Sequence, residues 1–221
     1  MSHSAAHSIP TEASDEVMAC AELAQDPLFH KIPPDRIPYY VRASLEAGRA
    51  AAAAYAGRSV RDICGREGLR YEISKRSGKF HNVSFRAQID FAKPSPEVII
   101  YASSLAEMEQ ACRAVMGEAN SPERERLIDI HLAHELYHYL EYKSGNFTNE
   151  RLEPITVFRI GPFAKTSTVV KCSEIAAHAF CKEIIGLPFL PNLLDYMYLI
   201  HTGAWTWPEW ERQTGVWKTW M

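Results

Sequence analysis

The chain has no basic excess, no cysteine pair at ligand spacing and no long apolar run. Its 221 residues carry 24 Lys and Arg against 27 Asp and Glu, a net charge of -3. That balance lacks the positive footprint of a nucleic-acid-binding surface, so no direct nucleic-acid contact is expected. The five cysteines, Cys20, Cys64, Cys112, Cys172 and Cys181, are odd in number and scattered, and no CxxC occurs. This excludes a disulfide framework and a zinc ribbon, and reads as reduced, mostly buried thiols in a cytoplasmic protein. No stretch approaches the roughly 18 apolar residues that a membrane helix requires. The blandest one, AGRAAAAAYAG (47–57), is mostly alanine, is interrupted by Arg49 and favours a soluble helix. The opening MSHSAAHSIPTEASDE has neither a basic leader nor an apolar core, and residues 1–15 are expected to be a disordered leader. Nothing in the pattern specifies an oligomeric state.

What is present fits one globular domain: 47% of residues are hydrophobic, enough for a sizeable core. Residues 32–57 read as a turn and a long helix ended by Gly57. Ser59 then caps a short helix over 59–68. It has the cadence of the first helix of a helix-turn-helix, but no second helix follows and the local charge is mixed. In VSFRAQIDF (83–91) Val83, Phe85, Ala87, Ile89 and Phe91 alternate with polar residues, which puts one face on a core and one in water. RYEIS (70–74) and EVIIYA (97–102) read as further strands, with Pro94 and Pro96 breaking the chain between two of them. A small, largely antiparallel sheet is expected. Residues 104–117 form a helix with a glycine stop. Ser121, Pro122 and Glu123 then signal a helix start, as cap, first-turn proline and first-turn acid, and that helix runs to about Lys143. Residues 153–163 are a strand or an extended loop. Helices are expected over 171–188, closed by Gly186 and Pro188, and over 192–200. All five tryptophans, Trp205, Trp207, Trp210, Trp217 and Trp220, lie in the last segment, 204–221, which is expected to pack on the domain through its aromatics.

The stretch HLAHELYH (131–138) lies deep inside the 121–143 helix. At about 100° per residue His134 and His138 stand one turn apart on one face, where two imidazoles can reach one metal ion. Glu135 sits beside that line and can lean over a metal-bound water without binding the ion. This is the mechanical content of H-E-x-x-H: zinc lowers the pKa of the water, and the glutamate takes its proton as the water attacks a carbonyl. The flanking Leu127, Ile128, Ile130, Ala133, Leu136 and Leu140 make the helix largely buried, and three uncompensated histidines in a core would be costly. His131 is on the same face one turn earlier; histidines more than one turn apart splay away from a common point, so it is read as a supporting group or a bystander.

A catalytic zinc takes three protein ligands and keeps one open position. The best supplier of the third is Glu174, 36 residues after His138, on a helix otherwise lined by Ile175, Ala176, Ala177, Ala179 and Phe180. A carboxylate on a buried element needs a cation. His178, one turn later, can hydrogen-bond a ligand, donate to a developing oxyanion or replace Glu174. Tyr137, Tyr142, Tyr196 and His201 are further candidate oxyanion donors that spacing alone does not place.

HELYH together with EIAAHAFCKEIIGLP resembles the ImmA/IrrE-type metallopeptidase family, gluzincin-like proteins with H-E-x-x-H on one helix and a later helix carrying a glutamate. The matching positions are Glu174, Ala177, Phe180, Cys181, Ile184, Ile185 and Pro188. The resemblance covers about 60 residues in its motifs. It implies a zincin-like α+β domain over 16–203, with the sheet packed on the H-E-x-x-H helix and a second ligand-bearing helix. It also implies Zn2+ held by His134, His138 and Glu174, with Glu135 as base. Family members act inside bacteria, and some cleave helix-turn-helix repressors, so a protein or peptide substrate is implied. Three departures stand out: Tyr137 replaces the usual glycine, His178 the usual Asp or Asn, and the interval from Phe180 to Pro188 is one residue longer. The first two alter the pocket wall and the groups behind the ligands. In zincins the substrate lies extended along a sheet edge, a role open here to 83–91 or 97–102. The rival reading is a non-proteolytic metal-bound regulatory or scaffold protein, for which Glu135 has no purpose. A closed four-ligand zinc site using His178 or His131 is the third.

Overall fold

The computed structural model of the chain describes residue 10 and residues 13–80, 83–93 and 95–221. The fold is mixed α+β, with the metal-motif helix at its centre. Helix α5 (Arg124–Ser144) is apolar around most of its circumference: Leu127, Ile128, Ile130, Leu132, Ala133, Leu136, Tyr137 and Tyr139 are all buried. Its polar wedge is the row His131, His134, Glu135 and His138. The helix starts two residues later than Ser121 and Pro122 signal. Glu123 takes the N-cap position without a side-chain bond, while the Ser121 hydroxyl donates back to the Glu118 carbonyl. Its end is as the sequence predicts, at Gly145 with φ 63°.

Helix α7 (Lys171–Ile185) packs against α5 on one side and α2 (Ile37–Ala53) on the other. The α2–α7 contact is close because Gly48 has no side chain. A Cβ there would stand 2.1 Å from the Ala176 carbonyl oxygen and 2.8 Å from Ala179 Cβ. Helix α7 ends at Gly186, φ 66°, a left-handed cap that glycine adopts without strain.

The sheet flanking α5 has three strands in the order β1 (Arg70–Ser74), β5 (Glu97–Tyr101), β4 (Ala87–Asp90). It is mixed rather than largely antiparallel: β4 runs antiparallel to β5, but β1 runs parallel to it, Ile73 facing Ile100. The alternation over 83–91 does not give one strand. It divides into a two-residue β3 (Val83–Ser84), paired with β2 (Lys79–Phe80), and β4 beyond it. The break at Phe85 and Arg86 turns Arg86 away from the water face that the alternation assigns to it. β5 occupies the middle of the sheet, so it has no free edge to offer a peptide; β4 does. Pro94 lies outside the described residues.

Two elements escape the sequence patterns. Helix α1 (Asp15–Leu23), capped by Ser14, is almost wholly buried. Asp15 accepts from Lys182 of α7 at 2.7 Å and from Arg49 of α2 at 2.8 Å, so the fold is already under way at the last residue of the expected leader. The rest of that leader lies, apart from residue 10 and residues 13–14, outside the described residues. The second is β7 (Phe163–Ser167), which turns back as a hairpin on β6 (Ile155–Ile160), the strand within the 153–163 segment, between α5 and α7. Helices α3 (Val60–Glu67), α4 (Ala102–Met116) and α8 (Leu193–His201) fall where the sequence places them; a short α6 (Thr148–Arg151) precedes the hairpin. The tryptophan-rich segment forms α9 (Trp207–Thr219), with Trp210 and Trp217 buried against Tyr196. All five cysteines are buried and free. No helix among the described residues is long and apolar enough to cross a membrane.

Candidate metal centre

α5 and α7 bring His134, His138 and Glu174 to one point. The Nε2 atoms of the two histidines are 3.2 Å apart. Glu174 sets one oxygen 3.3 Å from His134 Nε2 and the other 3.7 Å from His138 Nε2. Among the described residues this is the group of three whose donor atoms could hold a metal ion. The spacing fits. Ligand atoms at 2.0–2.1 Å from a tetrahedral zinc stand about 3.4 Å from one another, and two imidazoles with one carboxylate are an ordinary zinc donor set. Without an ion, the two Nε2 atoms can share only one proton. Burial lowers the pKa of His134, to about 4, in spite of Glu174. Burial opposes charge on His138 as well, but Glu141 and Glu174 outweigh it and raise its pKa to about 10. His138 is therefore the charged partner and His134 the acceptor. Burial pushes Glu174 up, yet the two imidazoles beside it carry it far below the usual carboxylate range.

Glu135 stands beside the cluster without joining it. Burial raises its pKa to about 7, opposed by His138. The amide of Ile89, on the free edge of β4, faces that carboxylate and also opposes the rise. That edge follows from the pairing. The Tyr101 N–H donates to the Arg86 carbonyl at 2.9 Å, so alternate residues point their backbone groups at β5, and those of Ala87 and Ile89 point outward.

The remaining candidates divide. His178 lies behind His134, ring centroids 4.7 Å apart, with Nε2 3.7 Å from Glu22. It belongs to a buried network, not to the donor cluster. Glu22 also accepts from Lys171 at 2.6 Å; burial pushes the Glu22 carboxyl up, but His178 and Lys171 pull it down to about 2. The Nδ1–H of His131 donates to the Leu127 carbonyl at 2.8 Å, and burial lowers its pKa to about 3. It is a neutral ring in the cleft wall, outside the cluster. Tyr137 points away from the cleft: its hydroxyl meets Thr148 Oγ1 at 2.6 Å and its ring packs on Phe180. Tyr142 packs its ring at a tilt against Phe91 at the surface, and His201 is exposed. Tyr196 does line the cleft, buried among the tryptophans.

Three groups at the centre are not picked out by the sequence patterns. Glu141, buried beside His138, has its carboxylate 3.5 Å from His138 Nδ1 and accepts from the Thr148 amide at 2.7 Å and the Ser173 hydroxyl at 3.1 Å. An acid three residues after a candidate ligand, on the same helix, is the signal that could have found it. Glu22 had no such signal, because its helix was not foreseen. Arg86 was masked by the alternation. The cluster opens into a cavity of about 520 Å³ reached by His134, Glu135 and Glu174. Comparison with known proteins finds no matching family model, no similar curated protein and no similar solved structure.

Proposed function

We propose that this chain is a zinc-dependent metallopeptidase with a zincin-like domain, of the ImmA/IrrE type, acting on a protein or peptide. The observation that carries the reading is the convergence of two imidazoles and a carboxylate at zinc spacing, with a fourth group, Glu135, held beside them but outside the cluster. A metal used only for structure has no need of that glutamate.

A zinc ion at this point supplies Lewis acidity, acidifying a water and polarising a substrate carbonyl. The chain's own residues do the rest. Glu135 takes a proton from the water that attacks the carbonyl carbon. It then passes the proton to the amine nitrogen as the C–N bond breaks. A carboxyl group raised towards neutrality by burial suits both halves of that transfer. Peptide lies along the free edge of β4, bonding to the outward backbone groups of Ala87 and to the Ile89 carbonyl, and so passes over Glu135, which the Ile89 amide faces. The resemblance supports a regulatory protein such as a helix-turn-helix repressor as the substrate, and a cytoplasmic setting.

The test is zinc content per chain of wild type, Glu174→Ala and Glu135→Gln, followed by incubation of each with an unstructured protein and mass spectrometry of the products. The reading requires about one zinc in wild type and in Glu135→Gln, little in Glu174→Ala, and cleavage by wild type alone. A zinc-loaded wild type that cleaves nothing while Glu135→Gln behaves identically would remove the peptidase and leave a metal-binding protein. Equal zinc in Glu174→Ala would move the third ligand to His178 or His131.

A further inference from the structure

The hairpin of β6 and β7 contributes no ligand to the metal cluster, and its outer half is open to solvent. Every residue from Phe158 to Thr166 is exposed, on both faces of the ribbon. Its base is held. Ile155 and Val169 are buried, the Tyr40 hydroxyl donates to the Glu153 carbonyl at 2.7 Å, and the Asn149 amide donates to the Thr168 hydroxyl at 3.2 Å. A strand advances about 16 Å over the five steps from Ile155 to Ile160, so the turn at Gly161 and Pro162 stands out from the body. Directly paired residues of antiparallel strands share a face. Ile160 pairs with Phe163, and Phe158 with Lys165. One face of the tip therefore carries Phe158, Ile160 and Phe163, exposed to 57, 64 and 79%, with Lys165 beside them. Among the described residues no large hydrophobic side chain is more exposed than Phe163. Arg159 lies on the other face, paired with Ala164. No acid occurs between Pro154 and Val170. Arg86 and Lys171 are met by Asp195 and Glu22, each at 2.6 Å, but among the described residues no carboxylate pairs with Arg159 or Lys165.

From this we infer that the hairpin tip docks on the surface of an anionic phospholipid bilayer. Phe158, Ile160 and Phe163 enter the boundary between headgroups and acyl chains, while Arg159 and Lys165 meet the lipid anions. The contact is peripheral and spans nothing. A projecting apolar tip with uncompensated positive charge calls for a partner that is anionic and yields to its shape. The ribbon is poorly built for a protein strand added at its side: a bulge between Thr156 and Phe158 breaks the β6 edge, and β7 carries Lys165. A second copy packed face to face would bring cations together with no acid between them. The tip also has little backbone to desolvate, because Ile160 and Phe163 pair with each other and Pro162 has no N–H. The inference uses nothing of the peptidase reading, and the anionic cytoplasmic leaflet of a membrane suits the setting proposed above.

The experiment is co-sedimentation of the full-length chain with vesicles of phosphatidylcholine alone and of phosphatidylcholine mixed with phosphatidylserine, alongside sedimentation velocity without vesicles. The expected result is binding about tenfold or more tighter to the phosphatidylserine vesicles, weakening as salt is added. Phe163→Ser should lower that affinity by about tenfold or more. Arg159→Glu combined with Lys165→Glu should abolish the preference for phosphatidylserine. All three positions are exposed, so circular dichroism and zinc content should be unchanged; Ile160→Ser keeps the test open if Phe163→Ser disturbs the fold. The inference is overturned by equal binding to the two vesicle compositions, or by binding that neither Phe163→Ser nor Ile160→Ser weakens. Absence of vesicle binding overturns it as well. In that case a dimer that Phe163→Ser dissociates would give the face to a second copy, and a monomer would give it to a different protein.

Discussion

His138 turns its Nδ1 towards the buried carboxylate of Glu141, 3.5 Å away, one helical turn along α5. The other side of that carboxylate is pinned by the Thr148 amide and the Ser173 hydroxyl, so α6 and α7 hold Glu141 and Glu141 holds His138. A carboxylate behind a ligand histidine fixes its tautomer and raises its basicity. Glu141→Ala should lower zinc affinity by about 10–100-fold, measured by competition with a chromophoric chelator. Glu141→Gln, which can still accept from Nδ1–H and from Thr148, should lose less. Equal affinity in all three proteins would make Glu141 a purely structural acid.

Metal binding must displace the proton that the two histidines share. Zinc affinity should fall as pH drops, and binding should release protons, readable as a dependence of calorimetric heat on buffer ionisation enthalpy. Free zinc at about 100 times its dissociation constant should stabilise the chain by about 2.7 kcal/mol. That gain should be absent in Glu174→Ala and reversed by a chelator.

The metal-free chain should lose stability as pH rises from neutral towards 10. Glu135 and His138 both have folded pKa values raised above their ordinary ones, to about 7 and about 10. Each contributes stability that is complete below its ordinary pKa and lost as pH climbs through the raised value. Glu174 and Glu141, both lowered, act in the opposite sense and only in acid. Glu135→Gln should remove a loss confined to the interval between about pH 4.5 and 7, worth at most about 3 kcal/mol at 1.36 kcal/mol per pKa unit, and leave the loss above neutral, which belongs to His138. Thermal melts of chelator-treated protein across pH 5–10 read this directly.

Ala87→Pro deletes an N–H on the outward edge of β4, spares the ladder to β5 and leaves the Ile89 amide beside Glu135. Zinc content should be unchanged while peptide cleavage falls by about tenfold or more, the loss of one backbone hydrogen bond to substrate. Undiminished cleavage would take the peptide off this edge.

Gly48→Ala should destabilise the fold by about 1–3 kcal/mol in chemical denaturation, because the added methyl group forces α2 off α7. Glu174 is on α7, so zinc affinity should weaken with it, although Gly48 touches no ligand.

Much of the centre is legible in the chain because it is local. His134, Glu135 and His138 are placed on one another by the pitch of a single helix, and the apolar residues around them say that the helix is buried. Glu174 is read from a carboxylate on an otherwise apolar helix, and α2, α3, α4, α7 and α8 from their caps and periods. The errors arise where a pattern depends on distant partners. The alternation over 83–91 cannot tell a strand from two strands with a turn between them. The direction of β1 against β5 is set by pairing across intervening chain. Helix α1 has a cap and a first-turn acid, but its burial comes only from packing on α2, α7 and α9.

By itself, then, the sequence determined the row of His134, Glu135 and His138, because their relation is a matter of spacing within one helix, and it offered Glu174 and His178 on another helix as alternatives to meet them. Only the tertiary structure decided that Glu174 and not His178 meets the two histidines, that Glu141 stands behind His138, and that Arg86 and Glu22 enter the cleft already paired. Those relations join residues up to 156 positions apart, from Glu22 to His178, and no local propensity specifies them; they follow from how α1, α5, α7 and α8 bury their apolar faces against one another.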